Sequence, residues 1–168
     1  MTAVRDTIVM SVEPETECPR AAIGHSRRDC DRLIDFWRAN LVGRGTPALD
    51  LTAIDTDEWS HRFLITIDPK LEGSALLAYG EELARLLEIP AEHRAHVPMR
   101  RLVPPRYESV FLRGCAGVQR RNAPVRIEGV LARDGDRCEL FRASFIPIDN
   151  RAEKKVGLAV GTLNSRLA

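Results

Sequence analysis

Nowhere in this 168-residue chain is there a run near the ~18 apolar residues that a membrane-crossing helix needs, and residues 1–20 carry acids but no apolar leader segment. These absences exclude a membrane-spanning helix and a secretory leader, so the sequence predicts a cytoplasmic protein with no membrane partner. Metal-binding spacing is missing too. Cys18, Cys30, Cys115 and Cys138 form no C-x-x-C pair and have no histidine at ligand distance. That excludes a zinc site and, in a cytosolic chain of this size, a disulfide framework. His93 and His96 stand three residues apart without a third ligand near them, so no metal is expected. Aromatic residues make up only 5% of the chain, and the core must therefore be mostly aliphatic.

What is present suffices for one globular domain. Hydrophobic residues at 44% and charged residues at 29% are ordinary proportions, and the length allows a single core plus an appendage. Charge is unevenly placed: residues 1–90 hold 10 bases and 16 acids, whereas 91–168 hold 15 bases and 8 acids. Such asymmetry can signal an anionic partner. Here the arginines stand singly, without interleaved aromatics or a DNA-reading helix. The pattern therefore points away from nucleic acid and towards neutralisation between the halves, within or between chains.

The C-terminal third organises the rest. Val125–Arg133, Arg137–Ile148 and Val156–Asn164 are rich in Val, Ile, Leu and Phe and predict three consecutive antiparallel strands. Asp134-Gly135-Asp136 supplies the first turn, and the polar stretch Asp149–Lys155 the second connection. Such a meander needs cover on at least one face. His61–Asp68 alternates Phe63, Ile65 and Ile67 with Arg62, Leu64 and Thr66, which predicts a strand; the turn Pro69–Gly73 leads to a second at Ser74–Tyr79. A short helix, Glu81–Glu88, stops before Pro90. The prolines from Pro90 to Pro105 leave room only for turns or one-turn helices. Arg106–Arg120 resumes as a helix with Tyr107, Val110, Phe111, Cys115 and Val118 on one side, up to the break at Asn122-Ala123-Pro124. Upstream, Ser26–Val42 predicts an amphipathic helix, with a capping-box-like Ser26 and Asp29, Gly43 beyond its end, and one stripe of Cys30, Leu33, Ile34, Trp37 and Leu41.

This order of elements resembles a PAS domain over about residues 58–165. Arg133-Asp134-Gly135-Asp136 resembles the family's charged Asp-Gly hairpin, and Ser144-Phe145-Ile146-Pro147-Ile148-Asp149 its strand ending in S-P-I and an acidic loop. Val156-Gly157-Leu158-Ala159-Val160-Gly161 resembles its last strand, and Leu102-Val103-Pro104-Pro105-Arg106-Tyr107 the entry to its long helix. Phe36-Trp37-Arg38, followed by Gly43-Arg44-Gly45 and an acidic segment, resembles the leader of stand-alone bacterial members. The resemblance implies an α+β fold: a PAS-like five-stranded antiparallel sheet with helices on one face, plus the N-terminal amphipathic helix. It divides the chain into a flexible tail (1–25), the helix with its connector (26–57) and the PAS-like domain (58–168). Nothing matches the N-C-R-F-L-Q run of flavin-binding LOV members, and Ser109-Val110-Phe111 offers no haem-ligating histidine. Asn164-Ser165-Arg166 stands where the family usually has D-I-T. The cofactor is thus left unknown, and no kinase, cyclase or DNA-binding effector is expected beyond Ala168.

By comparison with PAS strands, Phe141, Ala143 and Phe145 face the helices, while Cys138, Leu140, Arg142, Ser144 and Ile146 take the other side. A pocket between helices and meander would be lined by Phe111, Cys115, Val118, Phe141, Ala143 and Phe145 and would suit an apolar small molecule; the same six residues read more simply as plain core. The other face needs a lid. The stripe Leu33, Ile34, Trp37 and Leu41 is available to cover Leu140 and Ile146, from its own chain or a partner's, and this predicts a homodimer with that helix at or near the interface. The implied function is a sensory or regulatory module that binds a small apolar ligand or docks on a signalling protein such as a histidine kinase. Two alternatives stay open. One is an interaction scaffold with a filled core. The other is a small α+β enzyme of hotdog or nuclear-transport-factor-like type, with His61, Asp68 or Glu128 as its base. No Ser/His/Asp order, G-x-S-x-G or paired carboxylates can be read, so no catalytic residue is expected.

Overall fold

The structure is a computed structural model that describes residues 29–41, 59–91, 97–133, 137–148 and 157–167. The tail 1–25, Ser26, the connector 43–57, His93 and His96, the Asp134-Gly135-Asp136 turn and the Asp149–Lys155 loop lie outside the described residues.

The elements run α1 (Asp29–Leu41), β1 (Arg62–Ile67), β2 (Ala75–Tyr79), α2 (Glu81–Leu87), β3 (Val97–Pro98), α3 (Met99–Leu102), α4 (Pro105–Arg121), β4 (Val125–Ala132), β5 (Cys138–Ile148) and β6 (Gly157–Leu167). All strand pairs are antiparallel, in the order β3-β2-β1-β6-β5-β4. This is a PAS-like α+β fold with six strands where five were expected. The addition is β3, whose Val97 and Pro98 pair with Leu76 and Ala75. Two residues carry no readable alternation, so the proline-rich stretch reads as turn alone.

Alternation along the strands separates two apolar layers. Phe63, Ile65, Phe141, Ala143, Phe145, Ala159 and Leu163 face α2, α3 and α4 in the main core. Leu64, Ile146, Ile148, Leu158 and Val160 face the other way, with Leu33 of α1 and Trp59. A register shift in the β1–β2 pairing skips Leu77, since Leu64 pairs with Ala78 and Ile65 with Leu76. This bulge turns Leu77 and Ala78 both towards the second layer.

Helix α4 is built to lie close to the sheet. Proline occupies its first turn, where no intrahelical amide is needed. At its end Asn122 takes the left-handed conformation (φ 47°) and its N–H donates to Val118 O at 2.8 Å. Tyr107, Val110, Phe111, Gly114, Cys115 and Val118 form its buried face. At Gly114 an added Cβ would stand 2.2 Å from the Phe145 ring, so only glycine lets the helix rest on that ring. Each large side chain buried here contributes roughly 1.5–3 kcal/mol.

Candidate functional site

The six residues read as pocket candidates are brought together. Phe111, Cys115 and Val118 on α4 meet Phe141, Ala143 and Phe145 on β5 within one buried cluster, each at most 4% exposed. Phe63 completes it: its ring centroid lies 4.9 Å from Phe111 and 5.2 Å from Phe145, and those two stand 5.9 Å apart, edge to face. The space between α4 and the sheet is occupied by these rings, and the two concavities described below are lined by other residues. Burial alone pushes the Cys115 thiol up to about 12, leaving it protonated and unreactive in place.

Four of the six lid candidates meet on the opposite face of their own chain's sheet. Leu33 and Ile146 are buried together, with Ile34 and Trp37 packed against them. Leu41 ends the helix, and its side chain is outside the described residues. Leu140 is placed apart, half-buried in the register between Val130 and Arg166. Cys30 Sγ, near the start of α1, donates to Arg142 O at 3.7 Å, so Leu140 lies beyond the first turn of the helix.

Charge fastens that first turn. Arg62 donates from Nη2 and Nε to the Asp29 carboxylate at 2.7–3.2 Å. Arg126 pairs with Asp31 at 2.9 Å and with Glu128 at 2.6 Å, and Arg142 also reaches Glu128. Burial pushes the Asp29 carboxyl up, but the hydrogen bonds and charge of Arg62 outweigh it and hold Asp29 below its ordinary value. Burial pushes the neighbouring Cys30 thiol up to about 11. Asn164 Nδ2 lies 3.9 Å from Cys30 Sγ and donates to Thr162 Oγ1 at 3.2 Å, so this end of the helix rests on polar groups.

A second polar cluster went unread in the sequence. Tyr107 OH donates to Glu139 Oε1, Arg133 Nε donates to Glu139 Oε2 at 2.6 Å, and Glu139 is only 1% exposed. Burial pushes the Glu139 carboxyl up, yet hydrogen bonds from Ser165 and Tyr107 and the Arg133 pair hold it below the ordinary range. Tyr107 is pushed up to about 12, by burial and then by the Glu139 carboxylate. The signal was available: Glu139 shares the parity of Phe141, Ala143 and Phe145 and so belongs to the helix-facing side.

The three candidate bases do not converge. His61 and Asp68 flank opposite ends of β1, and Glu128 lies on β4, three strands away. Asp68 accepts the Lys70 N–H at 2.8 Å in the β1–β2 turn, and Glu128 is held by Arg126 and Arg142. His61 lines a hollow of about 340 Å³ with Arg85 and Arg133. Both of those arginines are paired, to Glu81 and Glu82 and to Glu139.

The larger concavity is a groove of about 530 Å³, lined by α1, α4 and residues 124–128. Helices α1 and α4 cover opposite faces of the sheet, so a groove that both line can only follow the sheet's edge. That edge is β4. Pro124, Val125, Ile127, Ile34, Ala116 and Gly117 provide apolar lining, and Gly117 lets α4 approach, since a Cβ there would meet Val125 at 2.8 Å. Five arginines and three carboxylates also line the groove. The carboxylates are all paired: Asp31 to Arg126, Asp35 to Arg38, and Glu128 to Arg126 and Arg142. Arg113, Arg120 and Arg121 of α4 form no ion pair among the described residues.

No family model and no curated protein matches this chain. Among solved structures it is similar to the light-state dimer of the fungal blue-light photoreceptor Vivid (15% identity, 90% of this chain and 99% of that one, TM-score 0.41). Another similar structure is a fungal LOV domain photoreceptor (16%, 77% and 88%, TM-score 0.42). A third is the PAS domain of a protein from Colwellia psychrerythraea (13%, 62% and 86%, TM-score 0.41). The PAS-like fold rests on this chain's own strand order and on the seating of α2, α3 and α4 against one face of its sheet.

Proposed function

We propose that this chain is a PAS-like sensory or regulatory module that acts by docking on a signalling protein, of which a histidine kinase is one class. The groove along β4, where Arg113, Arg120 and Arg121 form no ion pair among the described residues, carries this reading. The ligand-binding form of the same reading uses the six core residues, and a ligand would enter only by displacing Phe111 or Phe145 from the ring cluster. A homodimer is the second form of the docking reading, favoured by Phe36, which is 47% exposed although it lies on α1. Native mass spectrometry of the freshly purified protein tests the choice. The docking reading expects the mass of the polypeptide or of its dimer alone, and a non-covalent small-molecule adduct would overturn it in favour of ligand sensing.

A further inference from the structure

The two edges of the sheet differ. Among the described residues β3 spans two and ends in Pro98, which lacks an amide hydrogen, whereas β4 offers eight. Short strands and prolines are how natural sheets close an edge to further pairing. On the β4 side closure is left to charge, and the charge does not balance: the acids of the groove are neutralised by neighbouring arginines, while Arg113, Arg120 and Arg121 face it unpaired among the described residues.

Building on the docking reading, we propose that the groove takes an extended acidic peptide segment of a partner protein as a seventh strand beside β4. Its backbone would pair with the β4 edge around Val125–Gly129, which no other described strand takes, as in other strand additions, where the main chain gives affinity and alternate side chains give specificity. Arg113 and Arg120 lie two turns apart on one face of α4, roughly 10 Å at 1.5 Å per residue. Acidic residues at alternate positions of a strand recur about every 6.6 Å on one side, so three of them span that distance. The intervening side chains would point to the α1 wall, where Ile34 is the apolar contact and Asp31 and Asp35 repel further acid. Those carboxylates, and the lack of any aromatic residue in the lining, favour a peptide over nucleic acid, which needs continuous positive charge and stacking platforms.

The test is fluorescence anisotropy of a labelled peptide of alternating Glu and Val with the full chain. Expected is saturable binding that weakens at least about tenfold in the combined variant Arg113→Glu, Arg120→Glu, Arg121→Glu. It should also be lost when alternate peptide amides are N-methylated, because the main-chain hydrogen bonds then cannot form. Those arginines are exposed, so the variant is expected to keep its fold, and circular dichroism checks this. Absence of binding, binding indifferent to the charge reversal, or equal binding of single-stranded oligonucleotide would each overturn the proposal. So would peptide binding that appears only after removal of residues 1–24, where Glu13, Glu15 and Glu17 are themselves alternating acids. None of these results adds small-molecule mass in the native spectrum, so failure here is distinct from failure of the docking reading.

Discussion

Phe145 and Ile146 are neighbours in β5 and meet different kinds of cover. Phe145 is enclosed by Phe63, Phe111 and the bare backbone of Gly114. Ile146 lies under α1, a helix that rests on the sheet through Leu33, Ile34 and Trp37 and whose first turn is tied by ion pairs to Arg62 and Arg126. Shape complementarity on the inner face has no partial state, because a ring either fits or leaves a void. Charge on the outer face is half-exposed and is weakened by salt and acid. The inner layer is thus expected to open only with the fold as a whole, and α1 to come loose first.

The comparison can be broken most severely from inside. Phe145→Ala removes the ring that spans α4 and the sheet and is expected to cost about 3–5 kcal/mol, read as a lowered urea midpoint with single-step unfolding. Glu139→Leu leaves Tyr107 OH and Arg133 without their acceptor and should cost roughly 3 kcal/mol. Glu139→Gln gives a sharper result. Asp29 and Glu139 are both held below their ordinary values, so the folded state binds fewer protons than the unfolded one. The stability they contribute is fully present above the unfolded carboxylate pKa of about 4 and is lost as pH falls through their folded values. Denaturation midpoints between about pH 6 and pH 3 should fall steeply in the native chain and less steeply in Glu139→Gln.

On the outer face Leu33→Ala should cost about 2–4 kcal/mol but release α1 before the rest of the domain. Pulsed alkylation with mass spectrometry would then show Cys30 modified while Cys115 stays protected. Equal labelling of both thiols would mean that the two layers open together. Asp29→Asn removes one tie only and is expected to cost about 1 kcal/mol, with a correspondingly faster Cys30 reaction. Least of all, Arg85→Ala breaks surface pairs to Glu81 and Glu82 and should shift stability by less than about 0.5 kcal/mol.

These contrasts bear on what the sequence could disclose. The alternation of Phe63, Ile65 and Ile67, and the spacing of Tyr107, Val110, Phe111, Cys115 and Val118, placed the inner layer because burial imposes those periods directly. The stripe on α1 was legible for the same reason, though not whose sheet it covers. Pairings were not legible: nothing local to Asp29 announces Arg62, and nothing local to Tyr107 announces Glu139. The groove was hidden further still, because whether β4 ends the sheet depends on where every other strand goes. Leu140 shows the limit of parity, which assigns it a face but not a place under the helix.

The position of β6 has a consequence for the order of synthesis. It pairs with β1 on one side and β5 on the other, and β1 leaves the ribosome nearly a hundred residues earlier. Until residues 157–167 emerge, the β1–β2 pair and the β4–β5 pair have no strand between them, and each keeps an apolar flank uncovered. The domain is closed by the insertion of its latest strand, as a keystone closes an arch.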